Sequence, residues 1–469
     1  MLKEELTGLL APYGQEHLLR FWDELSEDER KALAEDIRSV DWKQATAWFR
    51  QVAGGAATAL PQGELTPAPY QPLTPPVGQE KFYADCRAEG ERLLREGKVA
   101  AFTVAGGQGT RLGYDGPKGT YKFTILQNKS LFQYFAETLR SWQRKYQTTI
   151  CWYIMTSPAN NQDTVDFFQQ HCFFGLQPEN VKFFIQGVLP VFSPEGKALL
   201  ADKFHVSLAA NGHGGSFTAL RDSGALADMA SRGVEILTYW QVDNPLVAFC
   251  DTLFLGMHRL TGSEMSSRAL IKRDAMEKLG HFCLLDGRTT IIEYSDMPKS
   301  LLEATDADGR LTYRAGSPAI HVIDRQFVER LTDGSLNLPP HRAQKKISFI
   351  DEHGEKVIPT APNAVKLELF LFDALPLTKK ALILEGDRET QFSPIKNAAG
   401  QDSPDSCRAA MLARDCQWLE EAGIAVPRRT DGTPDVTVEI SPLAAVCPED
   451  LAKLSLAPLQ PGEKRYIAG

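Results

Sequence analysis

The sequence is first narrowed by what it lacks. None of its eight cysteines (86, 151, 172, 250, 283, 407, 416 and 447) belongs to a C-x-x-C pair, so neither a zinc ribbon nor a disulfide framework is expected. Cys151 and Cys250 sit in apolar runs, as buried free thiols in a reducing cytosol would; a cytoplasmic protein is expected. Charges break every apolar stretch well before the roughly 18 residues of a membrane span. Behind Met1-Leu-Lys-Glu-Glu5 there is no apolar run, so no signal peptide is expected either. Positive charge is in deficit, with 51 Lys and Arg against 60 Asp and Glu, a net −9 and a pI near 5.6. That balance argues against general nucleic-acid binding, though not against a local basic pocket. No internal repeat and no low-complexity run is present.

Two familiar glycine motifs are missing as well. No segment satisfies G-x-x-x-x-G-K-[ST], the phosphate loop of many nucleotidases. The dinucleotide fingerprint G-x-G-x-x-G would begin at Gly107 and Gly109, but position 112 is Leu. The acidic residue expected about 20 positions later is replaced by Gln127-Asn-Lys-Ser130. A nicotinamide oxidoreductase is therefore the weaker reading.

What is present is an apolar run, Val99-Ala-Ala-Phe-Thr-Val104, that reads as a buried strand. It is followed at once by Ala105-Gly-Gly-Gln-Gly-Thr-Arg-Leu-Gly113 and by Pro117-Lys118-Gly119. Four glycines in nine residues let the backbone turn tightly and press its N–H groups against a ligand. Arg111 and Lys118 add two positive charges. Together these are the parts needed to hold a nucleoside triphosphate.

The length of 469 residues calls for two or three domains. Residues 1–95 read as a helical N-terminal region, with Ser26 and Glu29 set for a capping box and a Pro- and Gly-rich arm over 53–79. Residues 96–385 alternate strands (98–104, 149–155, 181–186, 234–241, 266–271, 281–285, 318–323) with helices, among them Ser130 to Gln147, one around Asp163, and Ser216 to Arg232. This predicts an α/β nucleotide-binding, Rossmann-like domain with a mostly parallel sheet covered by helices. Residues 386–469 read as a small C-terminal α+β domain with a helix near 409–422 and a strand at 436–440.

The loop and the P-K-G element resemble those of the uridylyltransferases that make UDP-sugars, and within them the eukaryotic-type UDP-N-acetylglucosamine pyrophosphorylases. The resemblance extends through Gly14-Gln-Glu-His-Leu-Leu-Arg-Phe-Trp22, Tyr153-Ile-Met-Thr-Ser157, Gln186-Gly187, Val242-Asp-Asn244 and Ile292-Glu-Tyr-Ser295. It continues in Ala343-Gln-Lys-Lys346, Phe392-Ser-Pro-Ile-Lys-Asn397 and Val438-Glu-Ile-Ser-Pro442. It implies UTP and a sugar 1-phosphate as substrates, a UDP-sugar and pyrophosphate as products, and magnesium as cofactor. No nucleic-acid or membrane partner follows from it.

On that resemblance Arg111, Lys118 and Lys396 handle phosphates, Ala105, Gly106, Gly107, Gln186 and Gly212 hold the nucleotide, and Asp243 serves both nucleotide and metal. Glu293 and Ser317 face the sugar with His213. Two positions depart from the N-acetylglucosamine pattern: His213 stands for the Asn of G-N-G-G, and Ser317 for the Asn of A-G-N. G-H-G is the form found in UDP-glucose and broad UDP-sugar pyrophosphorylases. The sugar is thus expected to be N-acetylglucosamine 1-phosphate, with glucose or galactose 1-phosphate as the alternative. A non-catalytic UDP-sugar-binding protein would not need Arg111, Lys118, Asp243 and Lys396 together.

Overall fold

The structure is a computed structural model that describes residues 2–53, 63–334, 336 and 338–469. The chain divides into two compact units, each built from three separated segments. The first comprises Met1–Gln62, Gln186–Ala219 and Gly334–Ala374. Helices α1 (Leu2–Leu10), α2 (Glu27–Arg38) and α3 (Trp42–Ala53) open it. Ser26 and Glu29 form the expected reciprocal capping box. The aromatics of this region are packing: Trp22 and Trp42 are buried with Phe49, Phe192, Val365 and Leu367 in one core. Four short antiparallel ladders join it: 188–190 with 208–210, 200–202 with 205–206, 340–345 with 364–369, and 349–350 with 356–357.

The second unit comprises Gly63–Ile185, Leu220–Asp333 and Leu375–Gly469. In chain order it contains β1 (Leu65–Pro67), α4 (Glu80–Arg95), β2 (Val99–Val104), α5 (Leu131–Tyr146), β3 (Trp152–Thr156), α6 (Asn161–Gln170) and β4 (Val181–Ile185). Then come β5 (Ile236–Gln241), α7 (Thr252–Thr261), β6 (Met265–Ile271), β7 (Gly280–Leu285), β8 (Arg288–Ile292), β9 (Ala315–Ser317), β10 (His321–Asp324) and β11 (Ala381–Glu385). The chain ends with α8 (Pro404–Glu421), β12 (Val436–Ile440) and β13 (Glu463–Ile467).

One sheet runs in the order β1-β7-β9-β6-β10-β5-β2-β3-β4, with β8 on β7 and β11 on β6. Strands β5, β2, β3 and β4 are mutually parallel, and β11 is parallel to β6. Because β10 is antiparallel to both β5 and β6, β6 and β11 point the same way as β2. The carboxyl ends of six strands therefore share one edge, where an α/β fold places its ligands.

The divisions expected after residues 95 and 385 both fall inside this second unit. Its main core explains why: Leu93 and Leu94 of α4, Phe102's neighbours on β2, Ile395, and Cys407 and Met411 of α8 belong to one buried cluster. A smaller core at the C-terminus joins Leu419, Val438, Ile440 and Ile467. Two expected elements are broken where the backbone requires it. The strand expected over 318–323 is interrupted at Pro318, which has no N–H to donate, and Ala319 beside it has φ +58°. The helix expected from Ser216 to Arg232 splits into Ser216–Asp222 and Ala225–Ser231 at Gly224, φ +78°. Of the arm expected over 53–79, residues 54–62 lie outside the described residues, whereas Leu65–Pro67 joins the sheet against β7.

Helices α4 and α7 meet at glycines. A methyl on Gly256 would run into the Cys86 carbonyl, and one on Gly90 into the Thr252 carbonyl. Backbone-to-backbone contact at this depth fixes α7, and with it the 242–251 segment that carries Asp243.

Candidate active site

The loop after β2 is tied down by its carbonyls. Asn160 Nδ2 donates to the Ala105 oxygen at 3.0 Å and to the Gly107 oxygen at 3.3 Å. The Lys118 N–H donates to the same Gly107 oxygen, and the Gly109 N–H to Gly116. The N–H groups of Gly106 and Gly107 make no such bond among the described residues and remain as donors. A Cβ at Gly109 would lie 2.6 Å from the Tyr114 ring, so packing demands that glycine. At Gly107 a Cβ would meet open space, so its missing side chain is not required by the protein around it. Asn160 escaped the sequence reading. It is 1% exposed and its Oδ1 accepts from the Ser157 N–H at 2.8 Å. The only signal was a polar residue just after a strand end.

Lys118 and Asp243 meet above this loop, with Lys118 Nζ 3.7 Å from Asp243 Oδ2 and both side chains at most 14% exposed. That is longer than a direct hydrogen bond. Burial pushes the Lys118 ammonium below its usual pKa; Asp243 opposes the shift, while Lys396 and Arg111 reinforce it. The second unit thus gathers Lys118, Lys396 and Arg111 near Asp243, with the Asp402 carboxyl also facing Lys396 and Asp243; the two cations that push Lys118 down are ones an anion would relieve. Lys396 is held there by backbone. The Ile395 N–H donates to the Asp243 oxygen at 2.8 Å, and the Lys396 N–H to the Asp402 oxygen at 2.6 Å. Asn244 locks the two segments, accepting from the Ser393 N–H and donating to the Gln391 oxygen. In the sequence Asn244 carries no assigned role within Val242-Asp-Asn244, because Asp-Asn-Pro reads first as a turn.

Among the described residues no cluster of three or more His, Cys, Asp or Glu could hold a metal. Asp243 alone, with a carboxylate not engaged at hydrogen-bond distance by Lys118, still fits a hard cation. Such an ion keeps several waters and takes the rest of its oxygens from phosphates.

Glu293 and Ser317 are brought together by strand register. Gly280 of β7 pairs with Ser317 of β9, and a Cβ built on Gly280 would lie 3.2 Å from Glu293 Oε1 at the end of β8. The shared neighbour is a buried glycine with no room for a side chain, since Ile291 Cγ2 would lie 2.7 Å from the same Cβ.

Gln186, Gly212 and His213 belong to the first unit. Gln186, 7% exposed, follows directly on β4. Gly212 has φ +82°, and a Cβ there would strike the Leu369 backbone. His213 is expected to face the sugar. Its Nδ1 accepts the Leu371 N–H at 3.1 Å, and the ring stacks on Phe370 at 5.4 Å. Burial pushes its pKa down to about 4. The imidazole is neutral with its proton on Nε2, the one nitrogen left to donate. Asn211 Oδ1, in the same loop, is buried with no hydrogen-bond partner among the described residues.

Residues 70–439 match the family UTP--glucose-1-phosphate uridylyltransferase. The chain is 37% identical to the UDP-N-acetylhexosamine pyrophosphorylase-like protein 1 of Mus musculus, over 96% of this chain and 94% of that one. It is 35% identical to the UDP-N-acetylglucosamine pyrophosphorylase of Saccharomyces cerevisiae, over 95% and 96%. Among solved structures it resembles the uridine diphosphate N-acetylglucosamine pyrophosphorylase of Trypanosoma brucei. There the TM-score is 0.83 at 24% identity, covering 100% of this chain and 98% of that one, a likeness of fold. Loop, charge cluster and near full-length similarity agree: the chain belongs to the UTP–glucose-1-phosphate uridylyltransferase family.

Proposed function

We propose that this protein transfers the uridylyl group of UTP to a sugar 1-phosphate, giving a UDP-sugar and pyrophosphate, with N-acetylglucosamine 1-phosphate as the preferred acceptor. The observation that carries this reading is the cluster of Arg111, Lys118 and Lys396 near Asp243, beside a loop whose Gly106 and Gly107 N–H groups remain as donors. An oxygen of the sugar phosphate attacks the α-phosphorus of UTP, the bond to the β-phosphate oxygen breaks, and pyrophosphate leaves with the electron pair. Two anions meet in this step, so alignment and positive charge carry the catalysis. Arg111 grips phosphate oxygens bidentately, and Lys118 and Lys396 act as point charges. Asp243 would hold Mg²⁺, which when bound would supply positive charge to the phosphate oxygens. Gln186 pairs with uracil, and Glu293 accepts from sugar hydroxyls.

The acceptor follows from the relatives' names, which specify N-acetylglucosamine or N-acetylhexosamine. A second reading, glucose or galactose 1-phosphate, is favoured by His213 and Ser317, neither of which offers an amide to an acetamido group. Pyrophosphate release with UTP, Mg²⁺ and each of the three sugar phosphates tests both. Fastest release with N-acetylglucosamine 1-phosphate upholds the first. Silence with every sugar would leave only a UDP-sugar-binding protein.

A further inference from the structure

The face of the sheet that carries Ser317 and Glu293 does not end with them. Side chains alternate along a strand, so Ala315 shares the face of Ser317, and Phe282 shares that of Gly280. Two residues along, a step of about 7 Å, Ala315 and Phe282 line a separate cavity of 540 Å³, together with Tyr313 from the turn before β9. Tyr70, Arg314 and Asp306 complete its rim. The volume falls within the range of small-molecule sites.

The lining is specific about chemistry. Asp306 Oδ1 accepts the Asp308 and Arg310 N–H groups, and its Oδ2 takes Arg314 Nη1 at 2.6 Å. The one acid and the one base of the rim therefore cancel, and an ionic ligand finds no opposite charge. Arg314 also donates from Nη1 to the Leu311 oxygen and from Nε to the Tyr70 hydroxyl at 3.4 Å. Its Nη2 makes no hydrogen bond among the described residues. The Tyr70 hydroxyl, accepting from Arg314, keeps its own proton to donate. Tyr313 spends its hydroxyl on the Leu65 oxygen and offers the cavity its ring. The site presents aromatic surface, a donor edge and no net charge. A pyranose, with apolar C–H faces and a rim of hydroxyls, answers all three.

We propose that this cavity is a second saccharide subsite, taking one neutral pyranose beside the sugar held at Glu293 and Ser317. Its placement beside a sugar rests on the proposed function; its ligand chemistry does not. The test is saturation-transfer NMR on the full chain with free N-acetylglucosamine, without nucleotide and then with saturating UDP-N-acetylglucosamine. Binding should survive the nucleotide sugar. It should weaken about tenfold or more in Tyr70→Ala, which removes the ring, and less in Tyr70→Phe, which removes only the hydroxyl. Arg314→Met should weaken it as well, and unaltered melting of Tyr70→Phe keeps the comparison free of misfolding. Complete displacement by UDP-N-acetylglucosamine, no binding to the unmodified chain, or equal binding in Tyr70→Ala would each overturn the proposal. Absence of uridylyl transfer with the Tyr70-dependent binding intact would defeat the proposed function and leave the subsite standing.

Discussion

Lys118→Met separates catalysis from stability more sharply than any other substitution. The side chain is 14% exposed, so methionine keeps the packing of the stem and deletes only the ammonium. If that charge works on the phosphates as they react, its loss removes about 3 kcal/mol of transition-state stabilisation, a factor of ~10²–10³ in kcat. Stability moves the other way. The Lys118 pKa lies below its usual 10.5, so in the window between the lowered value and 10.5 the folded chain holds fewer protons than the unfolded one. Stability then rises with pH across that window, and the penalty for the charged lysine is fully present below it. Deleting the charge should leave the melting temperature at pH 7 unchanged or raised. The unmodified enzyme should also lose kcat/KM on the alkaline side before an ordinary lysine would titrate, since that ratio reports the free enzyme. The assay is coupled pyrophosphate release beside thermal melting. Full turnover in Lys118→Met, or a large drop in melting temperature with turnover kept, would refute the reasoning.

Asp243→Asn should raise the Mg²⁺ concentration needed for half-maximal rate by at least about tenfold, read from a magnesium titration; an unchanged requirement removes Asp243 from the metal. It should also lower the Lys118 pKa further, because Asp243 is the charge opposing that shift. Gly256→Ala should destabilise by about 1–3 kcal/mol despite the ~1 kcal/mol that alanine adds in a helix, because the Cys86 carbonyl occupies the space; urea unfolding measures it, and a gain in stability would contradict the contact. The double change His213→Asn with Ser317→Asn should move the kcat/KM ratio toward the N-acetylated sugar, and a constant ratio would place selectivity elsewhere.

Local signals in the sequence carried far. Ser130 and Gln147 bracket α5 as its N-cap and its left-handed C-cap, and the apolar runs before Ala105 and Asp243 are strands. These are features that neighbouring residues decide. The residues that hold the loops were less legible. Asn160 and Asn244 act through backbone groups 55 and 149 positions away at the extremes, and nothing in their flanking residues records such partners. The convergence of Glu293 and Ser317 depends on β7–β9 register. The family resemblance supplied their role, whereas the packing supplied their proximity. Division into two units was hidden for the same reason, because each core draws on segments far apart in the chain.

That interleaving sets the order of events during synthesis. The first unit buries Leu6, Trp22 and Trp42 against Val365 and Leu367, so α1 to α3 leave the ribosome with no finished partner surface. They must wait for more than 300 further residues. With domains normally completed from the N-terminus onward, these three helices are the stretch that a chaperone would meet first.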